Sequence, residues 1–413
     1  MENEGNQNLA ILIDDYLPNS TKVASKMMHE LAIELHSKGY NIDVITPIIH
    51  KGKSSFENTE KLVIDHINVL SFNSGEIKEA SKVVRLVNEL LMPYRAFFSF
   101  LKHFYSRKYK FVITYSPSIF WYPLVYFFRF QFKTKSYLVL RDFFPQWVID
   151  SGIIKESSFI AKFLRWHEKR NYLAFDTIGI QSPKNLIWFQ EKYQKLNLKS
   201  ELLYNWVTPS DTYLVSKDKS LNQFRAKYNL QSKLIFFYGG NIGHAQDMKN
   251  LLRLAEQMLV EEEAFFVFLG SGDEVTLVKE TIQNRKLKNT LYLESVSQAE
   301  YIYILSEVDV GLFSLNPEHS THNFPGKILS YCQLGLPILG AVNPGNDIIQ
   351  VIEGSGSGKI SIAGDSDTLL QNAKLFLDVT LRKNMSKNSL RLIEDYFSTS
   401  KSAETIIKAL NQL

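Results

Sequence analysis

The run from His322 to Leu339 (HNFPGKILSYCQLGLPIL) sets a proline, a lysine and an apolar stripe in a pattern able to hold an anion. Pro325 is expected to open a helix, because its missing N–H would be unsatisfied at the first helical position in any case. Ile328, Leu329 and Cys332 supply an apolar face. Gly335 falls where a left-handed residue would close the helix, and Pro337 prevents a restart. Ile338 and Leu339 then begin a buried strand. Such a helix start offers free N–H groups, and Lys327 adds a full charge in the first turn. The chemistry indicated is capture of a phosphate or a sugar phosphate, although an ordinary surface helix could carry the same spacing.

Other groups could share that work. Gly239-Gly240-Asn241-Ile242-Gly243 follows the strand expected at Lys233–Tyr238 and precedes a helix, so its backbone could approach a diphosphate closely. Gly270-Ser271-Gly272-Asp273 ends another strand and could hold a nucleotide through backbone N–H groups; Asp273 could equally cap the helix that follows. Near the amino end, Asp14, Asp15, Asn19 and Lys22 follow the first strand, and Arg141-Asp142 follows the strand expected at Tyr137–Leu140. These polar residues would line the rim of the first sheet, where many carboxylates are merely structural.

Several tempting motifs fail on their spacing. Gly354–Lys359 (GSGSGK) is one residue short of a P-loop, lacks the following Ser or Thr, and has its strand on the wrong side. Asp365-Ser366-Asp367 has a metal-holding spacing but opens a helix and reads as a cap. His319 and His322 have no third ligand at helical spacing, so hydrogen bonding by His322 is the better reading and no metal is expected. The single cysteine, Cys332, excludes an internal disulfide framework and reads as core filler.

The elements that must position these residues are those of an α/β protein. A chain of 413 residues suits two domains. An apolar run Leu9–Ile13, a helix over 22–38 and a strand Ile42–Thr46 open the first in doubly wound fashion. Strands follow over 61–70, 111–115, 137–140, 177–180 and 201–204, with a helix over 79–107 broken at Pro93. Asn205–Pro209 is a turn-rich boundary, after which the pattern restarts, giving domains of 1–205 and 206–380 and a helical tail of 381–413.

Charge divides unevenly between the halves. Residues 1–205 hold 27 Lys/Arg against 20 Asp/Glu, and the remainder 20 against 23. Between Lys82 and Lys135, ten basic residues and seventeen aromatics meet one acid, Glu89. Basic and aromatic residues on helices suit an anionic membrane surface, and no motif for nucleic acid accompanies them. The most apolar run, Ile119–Phe128, is about half of the ~20 residues a spanning helix needs. Met1–Asn8 is polar without a basic region, so no signal peptide is expected.

The 322–339 segment resembles the donor-site helix of glycosyltransferase family 4, whose usual form is E-x7-E followed by A-M-A-x-G-x-P. Aligning Gly335 and Pro337 with that G-x-P sets His322 and Ser330 where the two glutamates stand. The N-x-P-x-K form, Asn323 to Lys327, is similar to the branch that builds bacterial O-antigen and capsule repeats, and within it to N-acetyl-L-fucosaminyl transferases. Asn205–Pro209 resembles the family hinge. The family's clamp Arg and Lys correspond to Asn241 and Gln246, so Lys327 must supply the missing charge.

The resemblance implies a GT-B fold of two Rossmann-like domains, with the tail crossing back onto the first. It implies a retaining transfer from a UDP-sugar bound by the second domain to a polyprenyl-diphosphate-linked saccharide bound by the first, without a metal or other cofactor. Lys327, His322 and Asp142 would carry the reaction, with Gly240, Asn241, Gln246, Gly270, Gly272 and Ser330 around the donor. The setting implied is cytoplasmic, at the inner face of the plasma membrane. Alternatives are a sugar-nucleotide 2-epimerase of the same fold and a catalytically degenerate membrane scaffold.

Overall fold

The computed structural model describes residues 7–20, 22–48, 59–75, 81–150, 152–209, 223–318 and 324–412. The chain divides into two compact units, Met1–Tyr204 with Thr399–Leu413, and Asn205–Ser398. The expected tail therefore splits. Helix Val379–Leu392 stays with the second unit and packs on helix Lys327–Gln333, whereas helix Thr399–Asn411 packs in the first unit on helix Val23–Ser37 and the sheet.

The first unit holds strands β1 (Asn8–Leu12), β2 (Asn41–Ile48), β3 (Thr59–Ile64), β4 (Ile67–Asn73), β5 (Phe111–Tyr115), β6 (Lys135–Leu140), β7 (Thr177–Ile180) and β8 (Ser200–Leu202). They lie in the order β3-β4-β2-β1-β5-β6-β7-β8, and only β3 runs antiparallel to its neighbour. Leu9 to Leu12 are wholly buried because helices cover both faces of the sheet, which is why the run is apolar without alternation. The order reverses at the β1/β5 junction, and ligands of such sheets sit at the carboxyl ends of the strands flanking that junction.

Two expectations about this unit are corrected. The single strand over 61–70 is a hairpin, turned by Asp65 and His66 at φ 48° and 68°, the left-handed pair that a two-residue turn requires. The helix Lys82–Arg107 does not break at Pro93; it kinks instead at Phe100, its one residue with non-helical dihedrals. An interior proline costs about 3 kcal/mol. Met92, Ala96, Phe100 and Phe104 are all buried against the sheet. Each large apolar side chain so buried returns roughly 1.5–3 kcal/mol, so packing outweighs the proline.

The same helix is tied to the sheet by a buried ion. Asp43 in β2 has no exposed side-chain surface. Its Oδ1 accepts from Asn68 (2.8 Å) and Arg107 Nη2 (3.1 Å). Its Oδ2 accepts from Tyr109 (2.7 Å), Arg107 Nε (3.1 Å) and His103 Nε2 (2.8 Å). Burial alone would raise its pKa, but these hydrogen bonds and the Arg107 charge outweigh it and hold the carboxyl below the usual range.

In the second unit, β9 (Leu234–Asn241), β10 (Ala264–Ser271), β11 (Thr290–Leu293), β12 (Val310–Ser314), β13 (Ile338–Val342) and β14 (Gly358–Ile362) form a parallel sheet in the order β11-β10-β9-β12-β13-β14. This is the dinucleotide-fold order, reversing between β9 and β12. The loop that leaves β12 at that junction leads into helix Lys327–Gln333.

Candidate functional site

Helix Lys327–Gln333 is fixed to the sheet from beneath. The Tyr331 hydroxyl donates to Leu312 O (2.9 Å) and accepts from Gly239 N–H (3.3 Å), bridging β12 and β9. Gly311 makes room for that ring, since a Cβ there would lie 2.4 Å from Tyr331 Cδ2. Gly335 ends the helix as expected, at φ 62°, with Leu336 N–H donating to Tyr331 O at 2.9 Å. Pro325, however, is not the first helical residue. Gly326 is the N-cap and Lys327 opens the helix. With seven residues the helix contributes little dipole, so the lysine side chain carries the positive charge.

The Lys327 Nζ is buried and has no hydrogen-bond partner among the described residues. It sits over the face of Tyr238 at 3.4 Å from the ring centroid, and a Cβ on Gly240 would lie 4.0 Å from it. A desolvated ring face returns about 2 kcal/mol to an ammonium, against several kcal/mol for taking the ion out of water. Burial accordingly pushes the Lys327 pKa well below its ordinary value. An anion placed beside it would restore the charged form.

The glycine-rich segments are closer to sheet than to loop. Gly239, Gly240 and Asn241 extend β9, with Gly240 paired to Gly270 and Asn241 to Ser271 of β10. Gly270 is at φ 153°, and a Cβ on it would come within 1.8 Å of Gly240 O. A Cβ on Gly272 would meet Ile242 O at 2.2 Å. The N–H of Ile242 donates to Ser271 O (2.9 Å), so this amide is already used. These glycines let two strand ends close on each other.

Asn241 and Gln246, at the clamp positions, hydrogen-bond to each other, Nδ2 to Oε1, at 2.9 Å. Ser330 is half-buried on the helix. His322 and His319 lie outside the described residues. Asp273 does not cap the next helix: Glu274 takes that position and makes no side-chain cap bond. Glu274 was missed in sequence. Its Oε2 is buried without a partner, and its Oε1 lies 3.6 Å from His244 Nδ1. An orphaned carboxylate oxygen can accept from a ligand hydroxyl or amide. Its one sequence signal is its place directly after Gly270–Asp273.

In the first unit, the rim residues part company. Asp14 Oδ1 accepts from Trp121 Nε1 at 2.6 Å across the β1/β5 junction, and burial pushes its carboxyl up to about 7. Asp15 pairs with Lys22 at 2.9 Å, and Asn19 is exposed. Tyr16, also unforeseen, meets His29 Nδ1 at 2.7 Å, and His29 Nε2 meets Asp65 at 3.0 Å. Arg141 turns inward, its guanidinium donating to Leu203 O and Tyr204 O. Asp142 is exposed at the rim.

No family model matches the chain. A curated relative, "Probable glycosyltransferase WbjE" of Pseudomonas aeruginosa, is 25% identical over 232 residues, covering 56% of each chain. The chain thus spans about half the length of that relative. Among solved structures, trehalose-6-phosphate synthase from E. coli bound with UDP-2-fluoro glucose superposes with a TM-score of 0.73 at 11% identity, covering 98% of this chain and 99% of that one. The fold is GT-B. Anabaena HepE in complex with UDP and glucose follows at TM-score 0.67, with 12% identity and coverage of 98% and 100%. WaaG, a glycosyltransferase of lipopolysaccharide biosynthesis, gives 0.65, with 11% identity and coverage of 96% and 99%.

Proposed function

We propose that the protein is a glycosyltransferase that binds the diphosphate of a UDP-sugar against Lys327. The observation that carries this is the buried, partnerless amine at the β9/β12 junction, the place where a sheet of this order takes its ligand. The diphosphate supplies the missing counter-charge. As the sugar departs, negative charge grows on the leaving phosphate, and a preorganised cation stabilises it most at that point. Glu274 is positioned to accept from a donor hydroxyl. Solved structures of this fold that hold UDP or a UDP-sugar support the choice of nucleotide.

The finer reading rests on the sequence. The Asn323–Lys327 likeness favours an N-acetylated deoxyhexose such as N-acetyl-L-fucosamine, transferred with retention and without a metal to a polyprenyl-diphosphate-linked saccharide. The first unit would take the acceptor at its Asp14 and Asp142 rim. The protein would work at the cytoplasmic membrane surface, held by the aromatic and basic helices of residues 82–135. No helix among the described residues is long and apolar enough to cross a membrane.

Assaying a panel of UDP-sugars with a polyprenyl-diphosphate-linked N-acetylglucosamine acceptor tests this reading. Transfer of a sugar is expected. Epimerised free sugar nucleotide with no transfer would favour a 2-epimerase, and no UDP-dependent thermal shift would favour a scaffold.

A further inference from the structure

The first unit carries a second cationic feature far from its rim. Two chain segments, Lys108–Phe111 and Lys133–Lys135, enter β5 and β6 at the amino ends of those strands, opposite the carboxyl edge that holds Asp14 and Asp142. They are locked side by side. Thr134 Oγ1 donates to Tyr109 O at 2.7 Å, and Lys135 N–H donates to Lys110 O at 3.0 Å. Lys108 and Lys133 each close a helix in the left-handed conformation, at φ 50° and 59°. The result is a cavity of about 820 Å³ lined by Lys108, Lys110, Lys133 and Lys135, with Tyr105 and Phe132 as aromatic walls and no acid in its lining.

The walls continue into an apolar face. Tyr105 and Phe132 pack edge to face at 5.5 Å. On the amino-terminal side of the kink at Phe100, the exposed residues Phe98, Tyr94, Leu91, Val87 and Val84 recur at helical spacing, and Tyr105 is exposed beyond the kink. Phe130, 83% exposed, stands on the adjoining helix Tyr122–Phe132 and stacks on Tyr126. A stripe of exposed rings and aliphatic side chains thus ends at a pocket of four lysines.

We infer that this pocket seats the phosphate headgroup of an anionic phospholipid, with the stripe on helix Lys82–Arg107 lying at the acyl boundary. Charge complementarity and the apolar continuation select a lipid over a soluble anion, because a free phosphate has no use for the flanking stripe. The inference rests on the reading that the protein works at a membrane. It relocates the basic determinant: Arg95, Arg107 and Arg129 are turned inward onto Ser74 O, Asp43 and Asp176. They hold the fold, whereas Lys108, Lys110, Lys133 and Lys135 line the pocket.

The test compares three forms of the full chain by sedimentation with phosphatidylcholine vesicles with and without phosphatidylglycerol. These are the wild type, a K108Q/K110Q/K133Q/K135Q variant, and the same four positions changed to Arg. At roughly 1 kcal/mol per basic residue near the surface, each Gln should weaken binding to anionic vesicles about fivefold, and four together several hundredfold. The Arg variant should bind like wild type. A charge-matched K227Q/K249Q/K383Q/K387Q control in the other unit should be unaffected. Should the quadruple Gln variant unfold, the single changes Lys110→Gln and Lys133→Gln carry the same expectation of about fivefold.

Wild type that ignores anionic vesicles would overturn the membrane reading itself. Wild type that binds them, with the pocket variants binding equally well, would overturn the pocket assignment alone. Tight binding of inorganic pyrophosphate that depends on the four lysines, without any change in vesicle binding, would overturn it in favour of a soluble anion.

Discussion

The Asp43 carboxyl and the Lys327 amine are both buried ionisable groups, and they have opposite surroundings. Asp43 is met by five hydrogen bonds from Asn68, His103, Arg107 and Tyr109, and its pKa falls. Lys327 Nζ has an aromatic face and no hydrogen-bond partner among the described residues, and its charged form is disfavoured. A buried charge that the fold satisfies is part of the fold. One that the fold leaves unsatisfied is completed by a ligand, and its cost in the empty protein is the sign of that unfinished state.

The largest effect should come from breaking the satisfied ion. Asp43→Ala leaves Arg107 and the Tyr109 hydroxyl without their acceptor, and removal of one member of such a buried network costs about 3–5 kcal/mol. Chemical denaturation should show this loss, with UDP binding by the surviving folded fraction unchanged.

The corresponding change at Lys327 should separate stability from function. Lys327→Met keeps the volume and removes a buried amine that has no hydrogen-bond partner among the described residues, so the unfolding midpoint should hold or rise. Turnover should fall on the order of 10²–10³-fold, the usual loss for a preorganised electrostatic group. A large fall in stability with activity preserved would reverse the two roles.

Acid titration sharpens the contrast with Asp14. The folded pKa of Asp43 is depressed, so its stabilisation is present above the unfolded value of about 3.9 and is lost as pH falls through the folded value. Asp14 has the opposite sign. Its carboxyl is raised to about 7, so the folded state holds a proton the unfolded chain has released, and stability declines as pH rises from about 4 to 7. Asp14→Asn should remove a slope of up to about 1.4 kcal/mol per pH unit in that window. Melting curves at several pH values check it, and an unchanged slope would show Asp14 to be solvated.

A smaller effect is expected at the strand ends. Gly270→Ala would press a methyl on Gly240 O. The β9 and β10 ends should part, with a loss of roughly 1–3 kcal/mol and weaker UDP binding from displacement of Gly240 beside Lys327.

Much of this architecture was legible in the sequence. Unbroken apolar runs announced the parallel strands, and Gly335 announced a helix end. Lys327 stood out as a charge, but its burial did not, since that depends on Tyr238 arriving from a strand nearly ninety positions away. The Asn241–Gln246 hydrogen bond was equally hidden, being a matter of loop geometry. The Asp65–His66 turn was missed because neither residue is the glycine that such turns favour. Pro93 misled because local chain chemistry was given priority over core packing. The basic window from Lys82 to Lys135 was visible only as a sum, and the structure sorts its charges into those facing inward and those facing solvent.

The most direct test of the central claim is proton uptake on binding UDP. Calorimetric titrations in buffers of different ionisation enthalpy, between about pH 7 and 9, keep the terminal phosphate of UDP mostly ionised throughout (second pKa ≈ 6). If Lys327 is held below its ordinary pKa until the diphosphate arrives, wild type should take up protons on binding, and affinity should fall as pH rises through the pKa of the bound state. Lys327→Met should bind more weakly and show no such uptake. Wild-type binding without buffer dependence, or the same uptake in Lys327→Met, would contradict the account.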